Sequence, residues 1–423
     1  MGGCVRDALL GLTPHDYDLC TAALPEQIQA IFSGRRLVLA GKKHGTVGVV
    51  TGEGVVEITT FRTEGSYQDN RHPDWVRFVP SVSEDLARRD FTVNAIAFSP
   101  ARGFADPFGG RADLSRRVLR TVGDPACRFQ EDALRILRGV RFAVHYRLTP
   151  EEKTMTAMNS LTPLMDSLAS ERVFEELCKL IPLLSVGDIL TFFPILAQAV
   201  PALAPMRGFD QHSPHHAYDL LTHTAYVTAS VPPTLPLRWA ALLHDTGKVP
   251  AFTLDETGRG HFPGHAQLSA GIAEEVLTRL HAPTALRERT VWLISRHMSP
   301  LRPDRTLLRR QLSRWGWEAT EQLLALQRAD FISKGVAGSD DPVLFDDTAA
   351  VLWEIREEAP CLSLRDLAVN GHDLMALGFP PGRDLGKCLG TLLNRVLEDQ
   401  IPNTRDALLR EATDIRSRIA AES

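Results

Sequence analysis

The hydrophobic pattern changes its period once along this chain. Residues 46–50 and 55–61 are β-rich runs flanking Thr51-Gly52-Glu53-Gly54, which predicts a hairpin. The short apolar run 95–98 predicts a further strand, and 24–32 a helix with Pro25 near its first turn. From about Asp124 onward, apolar positions recur at helical spacing and continue so. The pattern therefore predicts a small α/β unit followed by an all-helical remainder. Pro232, Pro233 and Pro236 mark a loop between two helices, and 335–342 reads as a linker into a helical tail. The most apolar stretch, 189–206, is interrupted by Pro194, Gln198, Pro201 and Pro205, so it predicts buried helix rather than a membrane span.

Composition narrows the class. A chain of 423 residues has room for two to four domains, and 44% apolar residues support sizeable cores. Its six cysteines form no C-x-x-C pair, which argues against zinc ribbons and disulfide frameworks and for a reducing compartment. No signal peptide precedes Gly2, and a cytoplasmic location is expected. The net charge of -5 carries no global sign of nucleic-acid binding, but the charge is uneven. Residues 111–147 hold nine Arg against four acids, and 340–366 hold eight acids against two Arg. A basic stripe of this kind suits RNA phosphates, and it equally suits an ordinary solvated face.

Chemistry-bearing residues begin at the first turn. Gly2-Gly3-Cys4-Val5-Arg6-Asp7 is followed, after a short gap, by Asp16-Tyr17-Asp18. On a strand, residues two apart point the same way with Cα atoms about 6.6–7 Å apart. So placed, Asp16 and Asp18 can clamp a pair of Mg²⁺ ions roughly 3.5–4 Å apart. Gly2 and Gly3 let backbone N–H groups approach a triphosphate, and Arg6 can neutralise it. Glu57, a charge inside the apolar run 55–58, is either a third acid near such metals or an edge residue facing water. In Arg88-Arg89-Asp90-Phe91-Thr92-Val93-Asn94-Ala95, Arg89 can bind phosphate, and Asp90 can accept from a ribose 2′-OH, a contact that selects ribonucleotides. Glu131-Asp132-Ala133-Leu134-Arg135 sets a carboxylate and a guanidinium at i, i+3 of an expected helix, and Arg138 and Arg141 continue at steps of three. Three residues advance about 300°, so Asp132 and Arg141 would face nearly opposite ways, and either a kink or a ligand that wraps round the helix is needed if both touch one nucleotide.

Taken together, these strings resemble the class II tRNA nucleotidyltransferase and bacterial poly(A) polymerase family, a branch of the polymerase-β-like nucleotidyltransferases. The family pattern runs G-G-x-V-R-D, D-x-D, R-R-D-F-T-x-N-A and E-D-x-x-R, and Asp106-Pro107-Phe108-Gly109-Gly110 matches a further structural turn. Residues 61–73 look like the family's flexible loop, F-R-x-E-x-x-Y-x-D-x-R-x-P, whose functional form is lacking in members that add only the two cytidines. One departure stands out. The family enters the glycine turn from a short apolar strand, whereas Met1 directly precedes Gly2, so the head is expected to lack that strand. The resemblance implies that Asp16 and Asp18 are catalytic and hold Mg²⁺. It also implies that Gly3, Arg6, Arg89, Asp90, Arg138 and Arg141 bind nucleotide, and that Asp132 and Arg135 read cytosine or adenine without a nucleic-acid template.

A second set follows. His223 and the string Leu242-Leu243-His244-Asp245-Thr246-Gly247-Lys248 resemble the HD phosphohydrolase superfamily, whose signature is H…H-D…D. His223, His244, Asp245 and Asp330 are the implied metal ligands, and His265 and His297 match the extra ligands of two-metal members. Imidazole combined with carboxylate suits a divalent transition metal such as Ni, Mn or Fe. His212, His215 and His216 read as loop residues near this site. Residues 370–382 resemble a C-terminal family segment, G-x-D-L-M-x-x-G-x-x-P-G, which helps hold the tRNA elbow.

The expected architecture is an α/β polymerase-β-like head over 1–120, then all-α segments: a neck over 121–182, an HD body over 183–335 and a tail over 336–423. The implied activity is template-independent addition of CCA from CTP and ATP to the 3′ end of tRNA, with no membrane and no DNA partner. An A-adding enzyme or a poly(A) polymerase is the alternative within the class. An HD phosphohydrolase with an inactive RNA-binding head is the alternative outside it.

Overall fold

The computed structural model describes residues 1–14, 16–64, 76–335, 343–358 and 360–422, so most of the string 61–73 and of the linker 335–342 lies outside the described residues. The chain divides into two compact units, Met1–Pro205 with Glu275–Thr284, and Met206–Glu274 with Ala285–Ser423.

In the first unit, helix α1 (Gly3–Leu9) precedes a four-stranded sheet of order β1-β4-β3-β2, formed by β1 (Leu19–Thr21), β2 (Leu37–Val38), β3 (Thr46–Thr51) and β4 (Gly54–Thr60). The predicted hairpin is β3–β4, closed by the Thr51–Gly54 pair. β1 runs parallel to β4, with Leu19 opposite Ile58. The helix predicted at 24–32 is α2 (Pro25–Ile31), which begins where the Leu24 N–H donates to Gln27 Oε1 (2.8 Å) and which buries Ile28. Asp16 and Asp18 do not lie on a strand as expected. β1 begins only at Leu19, and both acids stand exposed ahead of it. The ladder with β4 starts only at Leu19 opposite Ile58, and the Asp18 carbonyl accepts from the Met1 nitrogen at 2.7 Å.

Next come the ribbon β5 (Arg62–Glu64) with β6 (Val76–Phe78), helix α3 (Val82–Ala87), and the hairpin β7 (Ala97–Ser99) with β8 (Gly103–Ala105). The strand predicted from residue 95 starts at Ala97, because Thr92–Asn94 form a 3-10 turn ahead of it. Met1, Leu86, Ala95, Ala97 and Val122 form a buried cluster beneath this region. After α4 (Gly110–Ser115), β9 (Val118–Leu119) pairs with β10 (Thr149–Pro150) across the helices α5 (Pro125–Glu131) and α6 (Leu134–Tyr146). α5 opens on the Asp124 carboxylate, which accepts from the Cys127 N–H (3.0 Å), an N-cap at the predicted onset of helical periodicity. The unit closes with α7 (Glu152–Ser160), α8 (Ser170–Leu180), α9 (Val186–Thr191) and α10 (Phe193–Ala199). The prolines break the apolar stretch 189–206 into separate short helices.

The second unit carries α11 (Leu220–Ser230) and α12 (Leu235–Leu243) on either side of the predicted proline loop. α13 (Lys248–Ala251) follows, then the small hairpin β11 (Thr253–Leu254) with β12 (Gly260–His261), α14 (His265–Arg279), α15 (Thr284–Arg296), α16 (Arg305–Trp315), α17 (Trp317–Ile332) and α18 (Val343–Glu357). The tail is α19 (Gly371–Ala376), α20 (Arg383–Leu397) and α21 (Arg405–Glu422), packed around Leu374, Phe379, Cys388, Leu392 and Leu408. Gly378, at φ 90°, ends the first tail helix as its sequence implied. No helix among the described residues is long and apolar enough to cross a membrane.

At the two candidate sites, one glycine is required by its positive φ and one by close approach of main chain. At Gly2, φ is 74° and a Cβ would stand 2.5 Å from Arg89 Nη1. At Gly247, a Cβ would meet Ser269 N at 2.5 Å and the His265 carbonyl at 2.6 Å, both main-chain atoms of α14. Gly247→Ala must therefore push the start of α14 away, and we expect a loss of about 1–3 kcal/mol, read as a lower urea midpoint.

Candidate active site and candidate metal centre

In the first unit, one open cleft of about 650 Å³ is lined by Gly3, Arg6, Asp16, Asp18, Arg89, Asp90, Asp132, Arg135, Arg138 and Arg141, together with Arg88, Asn94, Phe142 and Tyr146. Residues from four separate strings of sequence thus meet in one place. Six arginines face four acids along its lining, a bias toward anionic ligands.

Asp90 sits at the centre of a buried polar chain. Its Oδ1 accepts from the Phe91 N–H (2.8 Å) and from Asn94 Nδ2 (3.0 Å), and its Oδ2 accepts from Arg138 Nη2 (2.7 Å) and Nε (3.1 Å). Burial pushes the pKa of this carboxyl up, but the Arg138 charge and the hydrogen bonds outweigh burial and hold it at about 2. Asn94 Oδ1 in turn accepts from Arg6 Nη1 at 2.5 Å. Arg6 is itself buried: it donates to Asp7 (2.8 Å) and to the Tyr146 hydroxyl, and lies 4.1 Å from the Tyr146 ring centroid. The arginine assigned to phosphate from sequence is therefore also the link between the glycine turn and α6.

The E-D-x-x-R string is not one helix. α5 ends at Glu131, Asp132 adopts φ -149° and ψ 103°, and α6 begins at Leu134. The Asp132 carboxylate bridges the break, its Oδ1 accepting from the N–H of Leu134, the first residue of α6 (3.0 Å). Of the two alternatives, a kink or a wrapping ligand, the backbone shows a break in the helix at this point. Asp132 Oδ2 accepts from Arg172 Nη2 (3.1 Å), while Arg135 donates to Glu131 (2.6 Å) and to the Arg88 carbonyl (3.3 Å). Arg141 donates to Glu176 at 2.5 Å, and Arg138 Nη1 lies 3.8 Å from the same carboxylate. Arg89 is half-buried, with Nη2 at 3.9 Å from Asp85. Glu57 is exposed on β4, next to the Ile58 that pairs with Leu19.

Sequence reasoning missed Asn94, Phe142, Tyr146, Arg172 and Glu176 as site residues. Glu176 left a signal. It falls on the apolar stripe Val173, Leu177, Leu180 of α8 and is buried there, and a buried acid needs a cationic partner.

In the second unit, the predicted ligands converge. His223 Nε2 lies 3.0 Å from Asp330 Oδ1 and 3.6 Å from Asp245 Oδ2, and His244 Nε2 lies 3.2 Å from Asp245 Oδ2. On the other oxygen of Asp245, His265 Nε2 stands at 3.6 Å and His297 Nε2 at 3.9 Å, with 3.2 Å between the two imidazole nitrogens. Two potential ligand groups thus share Asp245: His223, His244, Asp245 and Asp330, and Asp245, His265 and His297. All four histidines use Nδ1 against a main-chain carbonyl, those of Ser333 (3.1 Å), Ala241 (2.8 Å), Phe262 (2.9 Å) and Ile294 (2.7 Å). In that tautomer Nδ1 donates and Nε2 is left as the lone-pair atom, which is how metal-binding histidines are oriented. Burial and the neighbouring His244 push His297 down to about 4, so its Nε2 is available at neutral pH. For His244, burial lowers the pKa but Asp245 raises it further, while the charges of His244 and Lys248 hold Asp245 well below the carboxylate range despite burial. Lys248 Nζ lies 2.7 Å from Asp245 Oδ2 and donates to Gln211 Oε1 (2.9 Å). Of the His-rich loop, His216 packs edge-on against His223 with ring centroids 5.0 Å apart.

Comparison with known proteins covers the whole chain. Residues 1–120 match the Poly A polymerase head domain, 147–182 the probable RNA and SrmB-binding site of polymerase A, 221–333 the HD domain and 338–412 a putative tRNA nucleotidyltransferase domain 2. The CCA-adding enzyme of Levilactobacillus brevis is 33% identical over 422 residues, covering 98% of this chain and 93% of the relative. That of Latilactobacillus sakei is 34% identical over 421 residues, covering 97% and 92%. Among solved structures, the Bacillus stearothermophilus CCA-adding enzyme in complex with CTP superposes with a TM-score of 0.66 at 28% identity, covering 100% of this chain and 93% of that one.

The depressed pKa of Asp90 has a consequence for pH. A carboxyl that titrates near 2 when folded and near 3.8 otherwise stabilises the fold above pH 3.8, and that stability is lost as pH falls through 2. We expect about 2 kcal/mol of stability to disappear across this window in the native chain and to be absent from the pH profile of Asp90→Asn, as followed by urea unfolding.

Proposed function

This chain belongs to the CCA-adding enzyme family, and from that premise we infer that it adds CCA, drawn from CTP and ATP, to the 3′ end of tRNA. The observation that carries this reading to particular residues is the single cleft in which base-reading, phosphate-binding and metal-binding candidates meet. In it, Asp132 offers an acceptor and Arg135 a donor. Cytosine and adenine both present an amino donor beside a ring-nitrogen acceptor, so the same pair suits both bases. Uracil and guanine present a carbonyl beside an N–H and mismatch it twice. Arg89, Arg138 and Arg141 carry triphosphate charge, with Gly3 and Arg6 at the turn, and Asp90 would accept from the ribose 2′-OH once an Arg138 donor leaves its Oδ2 for phosphate, since its four acceptor sites are filled here. The protein's part is positioning and charge neutralisation.

The family depends on divalent metal. Asp16 and Asp18, exposed carboxylates on the wall of the cleft, offer hard oxygens that fit Mg²⁺. When bound, Mg²⁺ supplies activation of the RNA 3′-hydroxyl and neutralisation of the departing pyrophosphate. In this division of labour residues 1–120 serve as head, 121–182 as neck, 183–335 as body and 336–423 as the tRNA-holding tail.

The histidine–carboxylate cluster supports a second, metal-dependent phosphoester hydrolysis. Its fit to a metal rests on the donor set and on His244 Nε2, a buried atom with no hydrogen-bond partner. His223, His244, Asp245 and Asp330 would hold one ion and Asp245, His265 and His297 another, and the imidazole-rich set favours Ni, Mn or Fe.

Three tRNA transcripts, lacking CCA, ending in CC, or complete, incubated with labelled CTP and ATP supplied separately, decide the transfer reading. We expect CTP incorporation on the first and ATP incorporation on the second. ATP incorporation alone, on the CC transcript only, would identify an A-adding enzyme, and none on any transcript would refute transfer. Asp16→Ala is expected to abolish incorporation, and Asp132→Ala to erase the preference for CTP and ATP over UTP and GTP. Separately, Asp245→Asn should remove Mn²⁺- or Ni²⁺-dependent hydrolysis of RNA ending in a 2′,3′-cyclic phosphate while leaving CCA addition intact. Equal hydrolysis by both proteins would exclude this cluster.

A further inference from the structure

We propose that Arg172 is a positioning residue for base selection, acting through Asp132 from outside the cleft. The inference rests on the transfer reading above and goes beyond it. Asp132 lines the cleft and Arg172 does not. Asp132 also stands in the break between two helices, at φ -149° and ψ 103°, so regular backbone does not fix its side chain. Two donors fix it instead, the Leu134 N–H on Oδ1 at 3.0 Å and Arg172 Nη2 on Oδ2 at 3.1 Å. With a donor on each oxygen, the carboxylate plane is set before any base arrives, and each oxygen keeps a lone pair for an amino group.

The same arrangement keeps the two base-reading groups apart. Asp132 and Arg135 are opposite charges on the wall of one cleft, so each is an alternative partner for the other when nothing else engages it. Here no ion pair joins Asp132 to Arg135 among the described residues. Arg172 holds the first, and Glu131 holds the second at 2.6 Å. Removing Arg172 frees Asp132 to turn toward Arg135. The separate acceptor and donor then become one neutral pair that no longer discriminates an amino group from a carbonyl. α8 is suited to this task, since Val173, Leu177 and Leu180 anchor it in the core and Glu176, one turn beyond Arg172, clasps Arg141. One helix therefore braces both the base-reading acid and a phosphate arginine.

The test measures single-nucleotide incorporation by wild type, Arg172→Ala, Arg172→Gln, Asp132→Ala and the double variant Arg172→Ala/Asp132→Ala. We expect Arg172→Ala to reduce the CTP-over-UTP and ATP-over-GTP ratios of kcat/KM by at least about tenfold, chiefly through a higher KM for the correct nucleotides. Arg172→Gln, which keeps a donor, should fall between it and wild type. The double variant should be no less selective than Asp132→Ala alone, because both changes remove one interaction. A purely structural role would instead lower kcat for all four nucleotides alike and add to the Asp132→Ala loss, and that result overturns the proposal. So does wild-type selectivity in both Arg172 variants, or failure of both to fold by circular dichroism. A wild-type chain that adds nothing sinks the transfer reading itself, whereas a wild-type chain that adds CCA beside unchanged variants removes only the role of Arg172.

Discussion

The ion pair of buried Asp90 with half-buried Arg138 is the constraint on which the first unit's cleft depends. A carboxylate taken out of water needs a cation and hydrogen bonds, and an arginine taken out of water needs acceptors. Each solution in this chain creates the next requirement. Asp90 takes Arg138 and Asn94, and Asn94 takes Arg6, which Tyr146 also holds. Arg138 reaches toward Glu176, and Glu176 takes Arg141. The result is a continuous polar chain from the glycine turn through the α/β head to α6 and α8. It also leaves the cleft's cationic groups oriented in the absence of ligand, so that little reorganisation is needed when charge arrives.

The second unit applies the same rule to a different chemistry. Its buried acids are matched by histidines whose charge can be shed, and the ring orientation is set by main-chain carbonyls three residues before His244, His265 and His297. The Phe262 and Ile294 carbonyls also accept the main-chain N–H of the same histidine, at 3.3 Å in each case. The local backbone thus aims every Nε2 at one carboxylate. Gly247 completes the arrangement, because only the absence of a Cβ lets the His-Asp turn lie against the start of α14.

Much of this was legible in sequence because its signals are local. The hairpin at Thr51–Gly54, the helix after Leu24, the onset of helices at Asp124 and the stop at Gly378 each follow from spacing or from one residue's conformational preference. The candidate ligands and nucleotide residues were legible as strings of unusual composition. The strand expected at Asp16 and Asp18 was not realised, since pairing with β4 begins only at Leu19 and two acids spaced by one residue carry no signal of where that pairing starts. The single helix expected at Glu131 to Arg141 was not realised either, although the side-chain geometry had already called for a kink or a wrapping ligand. An aspartate bridges the break.

The sequence by itself determined which groups this protein has to work with: a glycine turn, a ladder of arginines, two sets of acids and the histidines of an HD string. Those depend on residue identity and on contacts a few positions apart. Only the tertiary structure decided which charge meets which. That Arg172 holds Asp132, forty residues away, and that Glu176 holds Arg141 follow from how helices pack. Partners of that kind are chosen by burial, because a charge excluded from water binds the nearest opposite charge the fold presents, and no spacing rule along the chain encodes that distance.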